Sequence, residues 1–344
     1  MNFFDNNTVW QANNLPDGLS FIYGVISGTP TTRGSFTVPV TVSNSLGTDT
    51  KNISIIVKHR DDCYIRQNGQ IIETLTPNDL VSRIRSGEAA VNYNCSNTQL
   101  LIPLVNTLTG ETINDFPLNF CDFRSFTLAD SSSVNGLILQ FATPLWRGLA
   151  IFDSNGFNRW KYSNLRQWLN SEGDNWFSNA YDTDALTSRQ GSYSEQNILG
   201  FLSYLPHSIV DLLQPVRVFT QAFFDDDNSD SSIDDPDDLD GTDGDITFDK
   251  VFIPSLSEMN ISTSNDNNYP QGNFEGSPWA YYSAPSVAMC SDIDNNSCAV
   301  LTRSALINGK TSIAALQNVN NSLTPSPMSP YSNLLATAPA FVLA

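Results

Sequence analysis

Two runs with a period of two residues, facing one another across a turn, constrain this chain more than any other feature. In the first, Phe36, Val38, Val40 and Val42 alternate with Thr37, Pro39 and Thr41; in the second, Ile53, Ile55 and Val57 repeat the spacing. Successive strand side chains leave on opposite faces, so an apolar residue at every second position predicts a strand with one buried face. Residues 43–49, SNSLGTD, supply the turn formers between the runs, and the whole predicts a β-hairpin. Upstream, Pro16, Gly18, Gly24, Gly28 and Pro30 mark tight turns between further short strands.

The order L-P-x-G-L-S at 15–20, G-x-I-S-G-T-P at 24–30, a strand, S-N-x-x-G at 43–47 and a closing strand resembles the immunoglobulin-like repeat of bacterial surface and phage proteins. The likeness covers roughly residues 10–58. It implies a small all-β, immunoglobulin-like sandwich over residues 1–58 that acts as a spacer or adhesion unit. Such repeats begin with one or two strands ahead of the L-P-x-G-L turn. With only residues 1–10 in that place, the expectation is a domain that borrows a strand from a neighbour, or a chain trimmed from something longer.

After Lys58 the pattern changes. Thr76 before Pro77, apolar Leu80, Val81 and Ile84 at helical spacing, and Gly87 behind them give the N-cap, first-turn and C-cap signals of one short helix. The apolar runs 100–105 and 134–141 predict strands. In 160–171 (WKYSNLRQWLNS), Ser163 is an N-cap and Leu165, Trp168 and Leu169 recur at i, i+3 and i+4, which predicts a short helix with an apolar face. Arg166 leaves that face and is expected to tie the helix to a carboxylate or to backbone carbonyls. Helices mixed with strands give α+β as the class of a second domain, residues 59–344.

The blocks W-x-x-S-x-x-R-x-W-L-N-S from Trp160, G-F-L from Gly200, D-K-V-F-I-P-S-x-x-E from Asp249, a third tryptophan block at Trp279 and A-P-A-F-V-L near the end resemble, in order and spacing, an uncharacterised domain of Gram-positive bacteria and their phages. That resemblance covers about residues 76–344. Two positions depart from its pattern. Tyr282-Ser283-Ala284-Pro285 stands where an arginine precedes a small-residue–proline pair, and Ala338 stands where the terminal motif has arginine. The layout is also similar to C-type-lectin-like and formylglycine-generating-enzyme-like folds, which carry recognition residues on irregular loops above a small sheet.

With 344 residues, 40% hydrophobic and 11% aromatic, the chain has material for two packed cores. Its formal charge of −19 disfavours a phosphate backbone as partner, so no nucleic acid is expected. Residues 225–249 hold 12 Asp and no Lys or Arg, an acidic insert expected to be solvated. Calcium is the alternative there, since Asp238, Asp240, Asp243 and Asp245 with Gly241 and Gly244 are suitable residue types, although no D-x-D-x-D-G-x5-E loop occurs. No secretory segment opens the chain, and no apolar stretch of about 18 residues could span a bilayer. A place outside the cell then requires a longer parent chain or release by lysis within a phage particle.

Five cysteines without C-x-x-C spacing and only His59 and His207 argue against zinc. Cys290 and Cys298 could close a short loop in an oxidising setting, and free buried thiols are the alternative. No nucleophile elbow, P-loop, dinucleotide fingerprint or H-E-x-x-H helix is present, so no catalytic residue is assigned and no enzyme is expected. Tyr269, Trp279, Tyr281 and Tyr282 lie among Asn, Gly and Ser, the composition of adaptable binding loops, and are the candidate ligand-binding residues. The expectation is a non-catalytic surface or virion protein whose immunoglobulin-like spacer presents a recognition domain to a host glycan or protein, with self-association compatible. The alternative is a structural virion component, a capsid decoration or fibre segment, without a ligand of its own.

Overall fold

The computed structural model describes residues 8–30, 34–57, 63–105, 112–145, 152–153, 158–174, 176–177, 181, 198–221, 244–261, 269, 275–283, 290–306, 312–319, 322–329 and 335–344. The chain is mostly β and divides into two compact units, Met1–Asp62 and Cys63–Ala344.

The first unit contains β1 (Val9–Ala12), β2 (Leu19–Ile22), β3 (Val25–Gly28), β4 (Gly34–Asn44) and β5 (Gly47–Val57). The long hairpin is β4 and β5, in register from Gly34↔Val57 to Asn44↔Gly47, with β1 antiparallel on the other side of β4. The turn is tighter than SNSLGTD suggests: only Ser45 and Leu46 lie outside the ladder, and Asn44 Oδ1 accepts Leu46 N at 2.9 Å. β2 and β3 form a separate hairpin. Its loop residues Tyr23 (φ 49°) and Gly24 (φ 81°) are both left-handed, the type I′ geometry that matches strand twist. The expected buried face is thin. Val38 is the only hydrophobic residue of this unit that is fully enclosed among the described residues, while Ile22, Tyr23, Val25 and Leu46 are exposed. A three-stranded sheet and a two-stranded ribbon have little area to cover a core.

In the second unit come β6 (Cys63–Gln67), β7 (Gln70–Leu75), α1 (Pro77–Ser86), α2 (Glu88–Asn92), β8 (Thr98–Val105), β9 (Thr112–Thr127), β10 (Ser133–Phe141), α3 (Asn164–Leu169), α4 (His207–Val210), β11 (Val216–Gln221), β12 (Gly244–Asp249), β13 (Val251–Phe252), β14 (Ala299–Ala305), β15 (Ile313–Val319), β16 (Ser322–Met328), β17 (Leu335–Ala336) and β18 (Ala340–Leu343). A seven-stranded sheet has the order β13-β18-β10-β9-β8-β6-β7, a four-stranded sheet the order β16-β15-β14-β17, and β11 pairs β12. The last strand therefore lies inside the large sheet between β13 and β10, where Phe341, Val342 and Leu343 are fully buried. The helices are short, ten residues at most, so the unit is weighted to strands more heavily than the α+β expectation.

α1 is built as its sequence requires. Thr76 Oγ1 accepts Asp79 N, Asp79 reaches back to Thr76 N, and Leu80, Val81 and Ile84 are buried. At the far end Gly87, in the left-handed region, donates to Ile84 O. α3 departs from the expectation of a single apolar face, because all six of its residues are buried. Such a helix is tolerated because its charged group and its capping residues find partners. Arg166 Nε donates to Asp249 Oδ1 at 2.7 Å and its Nη1 to Lys161 O at 2.9 Å, so both expected kinds of partner are used. Trp160 Nε1 and Thr247 Oγ1 donate to the other oxygen of Asp249 at 2.9 and 2.7 Å. Asn170, at the end of α3, binds Lys250 N, Val251 N and Val251 O and locks the helix to the start of β13.

Two acids at the end of the acidic stretch are thus structural and not solvated. Asp249 is fully buried, and Asp245 pairs with Arg159 at 2.7 Å. Burial of either acid demands a charged partner, and the arginines supply one. The rest of the stretch, including Asp238, Asp240 and Asp243, lies outside the described residues. All five cysteines are buried free thiols.

Candidate ligand-binding pocket

A β-bulge sets up one wall of the site. Ile138 pairs Asp122 and Leu139 pairs Phe120, leaving Cys121 unopposed, and such an extra residue bends and twists its strand. Beyond the bulge, Arg124–Thr127 of β9 form a wall facing Val216–Phe219 of β11, and a Leu128↔Val216 bridge holds the two together. Between them lies a cavity of about 420 Å3, floored by Phe252, Glu258, Glu275, Gly276 and Arg303.

The floor follows from two local motifs. In the S-x-x-E turn, Glu258 Oε2 accepts Ser255 N at 3.1 Å while Glu258 N donates to Ser255 Oγ at 3.2 Å. β14, buried along its whole length, carries Arg303 and Ser304 into contact with that turn. Arg303 N donates to Pro254 O at 3.1 Å, and Leu256 N donates to Ser304 Oγ at 2.9 Å. The Arg303 guanidinium then donates to Glu258 Oε2, Ile253 O (2.8 Å), Glu275 O (2.7 Å) and Phe219 O (3.3 Å). Burial is the largest influence and would favour loss of its proton, but the charge and hydrogen bond of Glu258, together with the charges of Glu275 and Asp249, outweigh it and hold Arg303 above the ordinary arginine value.

Glu275 is deeper and has both oxygens engaged, Oε1 by Gln221 N at 3.1 Å and Oε2 by Ser304 Oγ. Desolvation pushes its carboxyl up to about 7, against the pull of Arg303 and of these two hydrogen bonds. Glu258 differs. It is 8% exposed, and its Oε1 makes no hydrogen bond among the described residues. Gly276, with φ at +131°, gives that oxygen room, since a Cβ there would lie 2.8 Å from Oε1. At the mouth, Arg217 is exposed and stands 5.8 Å from the centre of the Phe219 ring, and Arg124 is held by Asp122. The cavity thus combines an open carboxylate oxygen, an exposed guanidinium and the aromatic surface of Phe126, Phe219 and Phe252. A larger hollow of about 580 Å3, beside α2, is lined by Asn92, Asn94, Ser96 and Asp122 and has no buried charge of this kind.

The aromatic residues singled out in the sequence are not a surface platform. Tyr269, Trp279 and Tyr282 are 3%, 1% and 0% exposed, and Tyr281 is partly buried against the core. Large rings gain more from enclosure than the polarity of flanking residues suggests. Trp279 instead supports the pocket from behind. Its N donates to Glu258 O at 2.9 Å, and its ring meets Phe252 edge-on at 6.3 Å. Tyr282 N donates to Trp279 O at 2.9 Å, and its hydroxyl donates to Gln140 Oε1. Ala338, at the position of the resemblance's terminal arginine, is buried, and its carbonyl accepts Gln140 Nε2 at 3.2 Å.

In the sequence Glu258 stands out only as the end of a block, and Glu275, Arg303 and Arg217 belong to no motif. One signal was present for Arg303, a lone cation within the apolar run AVLTRSA.

Residues 4–58 match the family model described as Putative Ig domain, which supports the immunoglobulin-like reading of the N-terminal unit. No curated protein and no solved structure matches the chain. Among the described residues there is no helix long and apolar enough to cross a membrane, and no group of three or more His, Cys, Asp or Glu placed to hold a metal ion.

Proposed function

We propose that the chain is a non-catalytic recognition module of a bacterial surface or a phage virion, in which the immunoglobulin-like unit is a spacer and the large unit binds a host-surface glycan or protein. The observation that carries this reading is the unengaged Glu258 Oε1 in a cavity that also offers Arg217 and the faces of three phenylalanines. That oxygen is open to solvent, and a ligand hydroxyl or amine would take the place of water there. Aromatic faces beside polar groups suit a sugar ring, apolar on one face and hydroxylated at its edge.

Two buried acids in one cavity also invite a hydrolytic reading. Against it stands Glu275, whose two oxygens are both occupied by the protein, so that it offers no free atom to a substrate. The test is a glycan and host-cell binding screen of the full chain, followed by nuclear magnetic resonance mapping. Binding that shifts Phe126, Phe219 and Gly276 and is lost in E258Q supports the reading. Binding that leaves those signals unmoved, or no binding at all, removes it in favour of a purely structural virion component. Turnover of the bound ligand would replace it with an enzyme.

A further inference from the structure

The hairpin that leads into β14 brings two cysteines into register. Ser291 and Ser297 form an antiparallel bridge, flanked by Cys298 N donating to Cys290 O at 3.0 Å and Asp292 N donating to Asn296 O at 2.9 Å. Cys290 and Cys298 are therefore directly opposed. The turn holds this register firmly, because Asp292 Oδ1 accepts Asp294 N at 3.1 Å and Asn296 N at 2.8 Å, and Asn295 sits at φ 62°. Opposed residues of an antiparallel pair that share a hydrogen bond put their Cα atoms roughly 5.5 Å apart, with side chains on one face. Disulfides span Cα separations of about 4.4–6.8 Å.

From this register we infer that Cys290 and Cys298 are a cross-strand redox pair, which closes to a disulfide when the folded protein meets a low-molecular-weight disulfide such as oxidised glutathione. The thiolate of one cysteine attacks a glutathione sulfur, forming a mixed disulfide and releasing one glutathione thiol. The second cysteine then attacks the protein sulfur of that mixed disulfide and releases the other. Two protein S–H bonds and one glutathione S–S bond are replaced by one protein S–S bond and two glutathione S–H bonds, so the oxidant takes up both electrons and both protons. Cys290 Sγ now lies 3.6 Å from Leu316 O, and a rotation about its Cα–Cβ bond turns it toward Cys298.

The other three cysteines are not placed for this. All five are buried, but Cys63 pairs Leu75 across its ladder, Cys121 is the unopposed residue of the bulge, and Cys95 stands outside any ladder, between α2 and β8. Burial pushes the Cys290 thiol up to about 11, so the exchange is slow near neutral pH and accelerates about tenfold per pH unit as the thiolate fraction grows. The consequence reaches the pocket floor, because β14 begins at Ala299, directly after Cys298, and carries Arg303 and Ser304.

The folded full chain is incubated with oxidised glutathione at about pH 8.5 until its mass stops changing, then unfolded, alkylated and digested. The expected product has one linked peptide joining Cys290 to Cys298, with Cys63, Cys95 and Cys121 alkylated. C298S is expected to lose the linked peptide and to leave Cys290 alkylated or bearing glutathione. Full alkylation of both Cys290 and Cys298 at the endpoint overturns the inference, and so does mixed disulfide alone at both positions or a bond from either to Cys95.

Discussion

Among the described residues, two arginines lie wholly inside the large unit, and they are enclosed in different ways. Arg166 is sealed in: its guanidinium meets Asp249, whose second oxygen takes Trp160 and Thr247, so every strong group in that knot answers another. Arg303 is equally buried, yet the carboxylate it fixes, Glu258, keeps one oxygen facing a cavity. The first arrangement has nothing left over, and the second does. A buried ion pair is weak evidence of stabilisation by itself, and the one that keeps an acceptor open to a cavity is where the proposed ligand would bind.

Substitutions sharpen that contrast. R166M leaves Asp249 buried without its charge partner, and the expected loss is about 3–5 kcal/mol in urea unfolding, the largest of the series. The pocket side is milder and depends on pH. Because folding raises the Glu275 value from 4.5 to about 7, its contribution is fully present below about pH 4.5 and is lost as pH rises through 7. Wild-type stability should therefore fall by at most about 3 kcal/mol across that window, and E275Q should flatten the fall. E258Q keeps the shape but weakens a charge-assisted bond to Arg303, with an expected cost of about 2 kcal/mol together with loss of ligand. R217A, at the exposed mouth, is expected to change stability by less than about 0.5 kcal/mol while weakening binding. A stability loss in R217A as large as in R166M would erase the distinction between the two sites.

Local rules made much of the fold legible. Thr76, Pro77 and Gly87 marked both ends of α1, and the alternation from Phe36 to Val57 gave the long hairpin, because these signals lie within a few residues of what they control. Arg166 was expected to find an acid, but nothing in the local sequence could say that the acid is Asp249, which sat in a stretch read as solvated. The pocket was less legible still. Glu258, Glu275 and Arg303 are far apart in sequence and meet only because β14 docks beside the S-x-x-E turn, so no spacing rule connects them. The aromatics failed for a related reason: the Asn, Gly and Ser around Trp279 suggested a loop surface, whereas its burial depends on Phe252 and Glu258 approaching from another part of the chain.

The β11–β12 ladder ends with Gln221 opposite Gly244, so these two anchor points face one another on a single rung. Closing a loop costs little more as it lengthens, about 0.6 kcal/mol per doubling. That geometry makes the junction a grafting port: foreign peptides of varied length could be spliced between those two anchor points for display, with the strands on either side keeping their pairing.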